Sequence, residues 1–487
     1  MKIEESGYEF MADHARKKWT VFLLVASGVF MSTLDSSIVN IALPFIMKDL
    51  GARFEIIQWV VLIYLLTVSS LLLTFGRLSD IKGRRIIYCS GFFIFALGSL
   101  FCSMASAAWF LVASRAVQGI GASMLMACSP ALVVDIFPLS ERGKALGMVG
   151  TVVAAGLTAG PMAGGVLLEL LSWRFIFLIN IPIGIVSAFM GAALLKETSA
   201  DRGNHEPLDV KGGVLLAVSL FCLVLVITHL DQWGVASTKT GTLFLLFLAS
   251  FTGFIRVEAR TDFPLFDPGL LGIRLFVLPI VSAAILFASL FIIVFMMPFY
   301  LTSPCGFSAS VTGGIMVTPF LVLFFVSPVS GMLCDRLGSS RGLCTAGMAL
   351  IAGALWSLAL VEPGAPVFTI VLRLVVVGIG TALFISPNSS AAMGAIPSHR
   401  RGIASAAVAT ARNLGMVMGV ALAGLVFSVV FSRLTSGADL NDYTPAMEAA
   451  FMEGFHNAMT AGTIIALAGI IVSYARGSEP VEAGDGK

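Results

Sequence analysis

One carboxylate in this chain stands where carboxylates are expensive. Asp35 falls about halfway along an apolar block that runs from Thr20 to Met47. An ionisable group that deep in an apolar segment marks a functional site by default, because nothing else offsets its cost. Arg115 sits in a second apolar block, from Trp109 to Asp135. A buried guanidinium must find acceptors, and Asp35 is its candidate partner, direct or through water. The chemistry such a pair can do is reversible protonation. Leaving water favours the neutral acid, while a neighbouring cation favours the ionised form. If the first effect wins, Asp35 is neutral in a dry, unliganded state and loads and releases protons. If the second wins, the pair is structural. A permanent pair could not cycle, so the first is the expectation. Asp135, Glu169, Asp231 and Glu362 all lie near block ends. That scarcity of central acids favours neutral, zwitterionic or monocationic ligands.

Other polar residues in apolar surroundings extend the candidate site. Tyr64 can stack on an aromatic ligand. Asn40 and Asn388 join Asp35 and Tyr64 as the expected cavity lining, with an interhelical hydrogen bond as the alternative for Asn40. Trp59 reads as an interfacial anchor. Two spaced patterns combine glycine with proline or charge. In Gly76-Arg-Leu-Ser-Asp80-Ile-Lys-Gly83-Arg84-Arg85, glycine permits a tight turn and Asp80 can accept from exposed amides at a helix N-terminus. The lesser alternative for its arginines is as charge anchors at a membrane face. In the second pattern Gly147, Gly156, Gly160, Pro161, Gly164 and Gly165 fall in one block. The proline removes an intrahelical hydrogen bond, and the glycines let other helices come close.

The elements that position these residues are membrane helices. Of 487 residues 57% are hydrophobic and only 12% charged, too few charges to clothe a soluble fold of this length. The apolar blocks reach or exceed the ~20 residues that span a bilayer core. Fourteen spans are expected, near 20–47, 57–78, 86–105, 109–135, 143–171, 175–195, 211–230, 241–259, 275–303, 311–334, 342–361, 366–393, 403–432 and 455–475. An even count puts both termini on one side. The opposite side keeps only Lys48, Arg53, Arg174, Lys239 and Arg433, so the positive-inside rule makes both termini cytoplasmic. Thr20–Met47 is too long for a signal-peptide core and reads as an uncleaved first span. The acidic stretch from Leu434 to Gly454 reads as a solvated outer loop. Seven cysteines without a CxxC pair give no disulfide framework and no metal site. A net charge of +2 gives a nucleic-acid partner no electrostatic support.

The chain also repeats itself. Gly76-Arg-Leu-Ser-Asp80 recurs as Gly331-Met-Leu-Cys-Asp335, Arg115-Ala-Val-Gln-Gly-Ile-Gly121 as Arg373-Leu-Val-Val-Val-Gly-Ile-Gly380, and Ser140-Glu-Arg-Gly143 loosely as Ser398-His-Arg-Arg-Gly402. Three matches in order at nearly one offset indicate two homologous six-helix halves, a transporter architecture. The expected division is a cytoplasmic N-terminus over 1–19, a bundle over 20–200, an inserted helix pair over 201–262, a second bundle over 263–475 and a cytoplasmic tail over 476–487.

These motifs carry a family resemblance over nearly the whole chain. Leu34-Asp-Ser-Ser-Ile-Val-Asn-Ile-Ala-Leu-Pro44 resembles the L-D-x-T-I-V-N-V-A-L-P of the fourteen-span drug:proton antiporters in the major facilitator superfamily, with Ser37 for threonine. The Gly76–Arg85 segment resembles the superfamily's G-x-L-a-D-R-x-G-R-R, with Ile81 in place of its basic residue. Arg115-Ala-Val-Gln-Gly matches a motif whose arginine takes part in proton coupling. The Gly147–Gly165 pattern matches the antiporter motif at every position. Ser172-Trp-Arg-Phe-Ile-Phe-Leu-Ile-Asn-Ile-Pro182, Pro264-Leu-Phe-Asp267 and Arg412-Asn-Leu-Gly415 resemble further family signatures. The resemblance implies an all-α major facilitator fold, with two six-helix bundles plus two inserted central helices. It implies proton-coupled export of amphipathic compounds by alternating access across the inner (plasma) membrane, by a monomer without a cofactor. It also implies that Asp80 meets the helix starting near Gly402. An exporter of one endogenous metabolite or lipid, and a non-transporting sensor, are the rivals. No P-loop and no H-E-x-x-H occurs, so neither ATP coupling nor zinc hydrolysis has a candidate.

Overall fold

The computed structural model describes residues 2–138, 141–195, 207–266, 268–396 and 401–477, with side chains from residue 18 onward except at 268 and 401–404. The first half contains α1 (Lys2–Asp49), α2 (Phe54–Lys82), α3 (Arg84–Ser103), α4 (Ala108–Ile136), α5 (Arg142–Leu170) and a broken span of α6 (Arg174–Leu178) and α7 (Asn180–Leu194). Two further helices follow, α8 (Val210–Trp233) and α9 (Thr238–Glu258). The second half contains α10 (Arg274–Thr302), a broken span of α11 (Ala309–Met316) and α12 (Thr318–Leu337), then α13 (Ser340–Leu358), α14 (Val367–Gly394), α15 (Arg401–Leu434) and α16 (Glu448–Ala475). Fourteen spans among the described residues are long and apolar enough to cross a membrane. The reason is the solvent: in hydrocarbon every backbone amide must be satisfied within its own segment, which a helix does.

Two helix boundaries and two burial expectations differ from the sequence reading. Gly76 and Asp80 lie inside α2, and the chain turns only at Gly83, whose φ of 95° is the left-handed-side conformation glycine tolerates. The last helix begins at Glu448, not near 455, because Pro445 opens a 3-10 turn and Glu448 places a carboxylate in the first turn, where the helix dipole favours it. An apolar criterion skips those polar first turns. Leu440, in the stretch expected to be solvated, is buried. Trp59 is no interfacial anchor either. It is buried against Phe221 of α8, with ring centroids 6.0 Å apart.

Within the first half α1 packs on α5 and α7, and α4 on α2 and α3; within the second, α10 packs on α15 and α16, and α14 on α12 and α13. The pair α8 and α9 pack on each other, and α8 leans on α2 and α15, one helix from each half. Most of α9 is uncovered, with Phe244, Leu245, Leu246, Leu248 and Phe251 exposed as a lipid-facing surface requires.

The halves touch along α2–α15 and α5–α11. With fourteen crossings, both described chain ends lie on one face, the terminal face, and the seam lies toward the opposite, far face. There Gln58 Nε2 donates to Val420 O at 2.8 Å and to Ala421 O at 3.3 Å. Phe54 nests among Phe295, Phe299 and Phe427, at centroid distances of 5.7, 5.2 and 5.0 Å. Glu169 Oε2 accepts from Ser310 N at 3.0 Å, and Arg53 Nε meets Asp439 Oδ2 at 3.2 Å. Toward the terminal face the packing loosens. Gly147 and Gly150 of α5 are exposed, and a Cβ at either would meet no neighbouring atom. The molecule is therefore shut at the far face and parted toward the terminal face.

Candidate functional site

The centre of the first half is a polar knot of five helices in an apolar bundle. Asp35 of α1 and Arg115 of α4 are 0% and 1% exposed, and Arg115 Nη1 donates to Asp35 Oδ2. The other carboxylate oxygen, Oδ1, accepts from Gln118 Nε2 of α4 at 2.8 Å and from Asn180 Nδ2 of α7 at 3.3 Å. Arg115 spreads its remaining donors over Val60 O of α2 at 3.1 Å and Gln118 Oε1 at 2.6 Å. Gln118 Nε2 also reaches Ser99 Oγ of α3 at 2.8 Å. The guanidinium carbon of Arg115 sits over the Tyr64 ring, 4.1 Å from its centroid, and Tyr64 Oη donates to Ser32 O at 3.1 Å.

Arg115, Gln118 and Asn180 all donate to Asp35, an arrangement that holds an ionised carboxylate. Asn180 Oδ1 is buried without a partner, and turning that amide over puts an acceptor where Nδ2 now stands, as a protonated Asp35 requires. Two of these donors are amides, Gln118 and Asn180, to which the sequence reading gave no role. A signal for them existed. Gln118 lies one helical turn from Arg115, on the same face, and Asn180 interrupts the apolar run Ile176–Ile183.

The four expected cavity residues are not gathered at one open surface. Asp35, Asn40, Tyr64 and Asn388 are all buried. Asn40 Nδ2 donates back to Ser36 O at 2.7 Å, while its Oδ1 is buried without a partner. Asn388, on α14, belongs to a second polar cluster: it accepts from Arg476 Nη2 at 2.8 Å and donates to Pro279 O at 3.0 Å. Arg476 is itself buried, and its Nη1 reaches Ser340 Oγ at 3.1 Å, so this cluster ties α16 to α13, α14 and α10.

The glycine–proline pattern of α5 serves two contacts. Gly156, Gly160 and Gly164 line the face against α1: a Cβ at Gly160 would fall 2.9 Å from Ser37 Cβ and 3.0 Å from Ile38 N. These three glycines hold α5 close to the helix that carries Asp35. Gly165 faces the other half instead, where a Cβ would lie 2.7 Å from Ala309 O. Pro161 is buried between the two faces, and Gly147 touches neither. At the terminal end of α2, Asp80 accepts from Arg84 Nη2 at 3.0 Å. Arg84 Nη1 also pairs with Asp135 and reaches Ala131 O at 3.3 Å, locking α2, α3 and α4 together. Arg85 Nη2 donates to Ala192 O at 2.6 Å. The side chain environment at Gly402, the expected partner of Asp80, lies outside the described residues.

Two helical bundles closed together at one face and parted at the other, with a buried ion pair at the centre of the first, have the architecture of a secondary transporter. Comparison with known proteins agrees. The sequence model described as "Major Facilitator Superfamily" matches residues 25–420 and again 280–483. The chain is 35% identical over 434 residues to "Riboflavin transporter RibZ" of Clostridioides difficile, covering 88% of this chain and 92% of that protein. It is 30% identical to "Multidrug resistance protein Stp" of Mycobacterium tuberculosis, covering 86% and 77% respectively. A bacterial homologue of the human lysosomal transporter Spinster, solved in an inward-facing, unoccupied conformation, superposes with a TM-score of 0.69 at 15% identity, covering 94% of this chain and 97% of that one. The chain belongs to the major facilitator superfamily.

Proposed function

We propose that the protein is a proton-coupled efflux transporter for amphipathic small molecules, working by alternating access, with Asp35 as the proton carrier. The observation that carries this reading is the donor shell of Asp35. In the state open to the terminal face, Arg115, Gln118 and Asn180 hold an ionised carboxylate. To take up a proton, Asp35 must give up at least one of these bonds, and the one whose loss matters most is to Arg115. Protonation and helix movement are therefore linked: releasing Arg115 loosens α1 from α4 while α5 stays clamped to α1 through its glycines. In this reading the open terminal face is cytoplasmic, the proton has just left and cargo enters. The opposite state takes up the proton and discharges the cargo. The basic residues concentrated at the terminal face support that orientation in the plasma membrane, and nothing in the scheme requires more than one copy of the chain. The division into two bundles with α8 and α9 inserted is part of this proposal, the bundles being the rocking units.

The multidrug resistance relative supports broad cargo. A second reading, one dedicated metabolite, is favoured by the riboflavin transporter at 35% identity. The test is purified protein in proteoliposomes with an imposed pH gradient, challenged with riboflavin and a panel of lipophilic dyes. Gradient-driven movement of several unrelated dyes supports the first reading. Movement of riboflavin alone supports the second, and no response to the gradient contradicts proton coupling.

A further inference from the structure

The second half contains an arginine that the proton site does not use. Arg412 lies on α15 between two packed faces. On one face Gly415 and Gly419 press against α10, where Cβ atoms would lie 3.0 Å from Ala284 Cα and Ala288 Cα. On another face the carbonyls of Val420 and Ala421 receive Gln58 of α2. At about 100° per residue, Arg412 falls between these faces and points into the space separating α10 of one half from α2 of the other. Gln58 closes that space toward the far face. Arg412 lies two turns nearer the terminal face and is partly exposed, while Ala411 and Asn413 beside it are buried. The Phe287 ring of α10 flanks the guanidinium at 5.9 Å. Phe287 lies near the middle of its span.

The charge of Arg412 is not balanced as that of Arg115 is. Arg115 has Asp35. No described carboxylate pairs with Arg412, and its Nε is buried with no hydrogen-bond partner. A guanidinium at that depth needs an answering group, and none of the described residues supplies one. The wall that faces the parted halves thus carries one uncompensated planar cation next to an aromatic ring.

We propose that Arg412 recognises the anionic group of the cargo, a carboxylate, phenolate or enolate on a planar aromatic body whose ring lies along Phe287. A guanidinium fork matches such oxygens in pairs, and the ring gives the flat body a surface. This departs from the preference for neutral, zwitterionic or monocationic compounds read from the scarcity of central acids. It rests on the transport reading only for the word cargo, since binding is measurable without transport.

The test uses two dyes on one xanthene body, fluorescein as the anion and rhodamine 6G as the cation. Their binding to the purified full-length protein is followed by fluorescence anisotropy. The wild-type protein binds fluorescein more tightly. Arg412→Gln weakens fluorescein by about tenfold, the scale of a charged hydrogen bond, and leaves rhodamine 6G within about twofold. Arg412→Lys keeps the charge without the fork, gives an intermediate loss, and serves if the Gln variant does not fold. Tighter binding of rhodamine 6G by the wild type, or equal losses for both dyes, overturns the proposal. Fluorescein binding that depends on Arg412 without any gradient-driven export would instead contradict the efflux reading and leave this one standing.

Discussion

The far-face seam can be pried open by one methyl group. Gly165 of α5 meets α11 of the other half backbone to backbone. In Gly165→Ala the new Cβ would lie 2.7 Å from Ala309 O, 3.1 Å from Ser310 Cα and 3.3 Å from Gly313 Cα. All three atoms are backbone, so no side chain can swing aside, and the seam must widen by roughly half an ångström or more to reach ordinary contact. Overpacking of this kind costs about 1–3 kcal/mol. The contact joins the two halves, so the cost falls on the far-face-closed state and is relieved when that face opens. The equilibrium should move toward the opposite state by about 5- to 150-fold. Spin labels at Met104 and Leu360, exposed at the far ends of α3 and α13, report the gap by electron–electron resonance in a cysteine-free background. The distance distribution should gain a longer component in Gly165→Ala, and transport should slow. An unchanged distribution in a folded variant would refute the reasoning that Gly165 holds this face shut.

Three further perturbations follow from the same contacts. Asp80→Asn weakens the link to Arg84 at a half-exposed site, so thermal stability should move by no more than about 2 °C while transport falls several-fold; transport near the wild-type rate would remove Asp80 from the gating machinery. Arg115→Gln alone leaves the Asp35 carboxylate buried without its cation and should cost about 3 kcal/mol, whereas Arg115→Gln with Asp35→Asn should cost less; additive losses in thermal unfolding would show that the two side chains do not act as a pair. Near Gly212, Asp209 Oδ2 and Glu258 Oε1 are both buried without partners, and a Cβ there would lie 2.5 Å and 2.6 Å from them, so the two oxygens stand no farther apart than the sum of those distances. Glu258→Gln supplies a donor between them and should raise the melting temperature; a fall would count against the crowding of the two carboxylates.

The fourteen spans were legible because lipid imposes one rule on every segment, and the apolar blocks obey it. What hydropathy missed was polar structure continuing a helix, as at Glu448 and at Asp80 in α2. Asp35 and Arg115 announced themselves as charges in apolar blocks. Gln118 and Asn180 did not, because a neutral amide in a membrane helix commonly bonds its own backbone, as Asn40 does. Only the packing of α4 and α7 around α1 shows that both amides face the carboxylate. Asn388 shows the reverse failure. A polar residue in an apolar helix suggested a cavity, and its partner, Arg476, lies nearly ninety positions away at the chain's last helix. The spacing in α5 was readable as close packing, but which glycine meets which half depends on the angle at which α5 crosses α1 and α11.

Proton release coupled to substrate movement by Asp35→Asn is the most direct measurement. In proteoliposomes with a pH-sensitive dye in the lumen, the wild-type protein should move protons against cargo in fixed proportion. The asparagine keeps the shape of the carboxylate and removes its titration. With folding verified by its melting curve, the variant should bind a transported dye yet move no protons and build no uphill gradient. Proton-coupled pumping at the wild-type rate by Asp35→Asn would show that the proton travels through another residue.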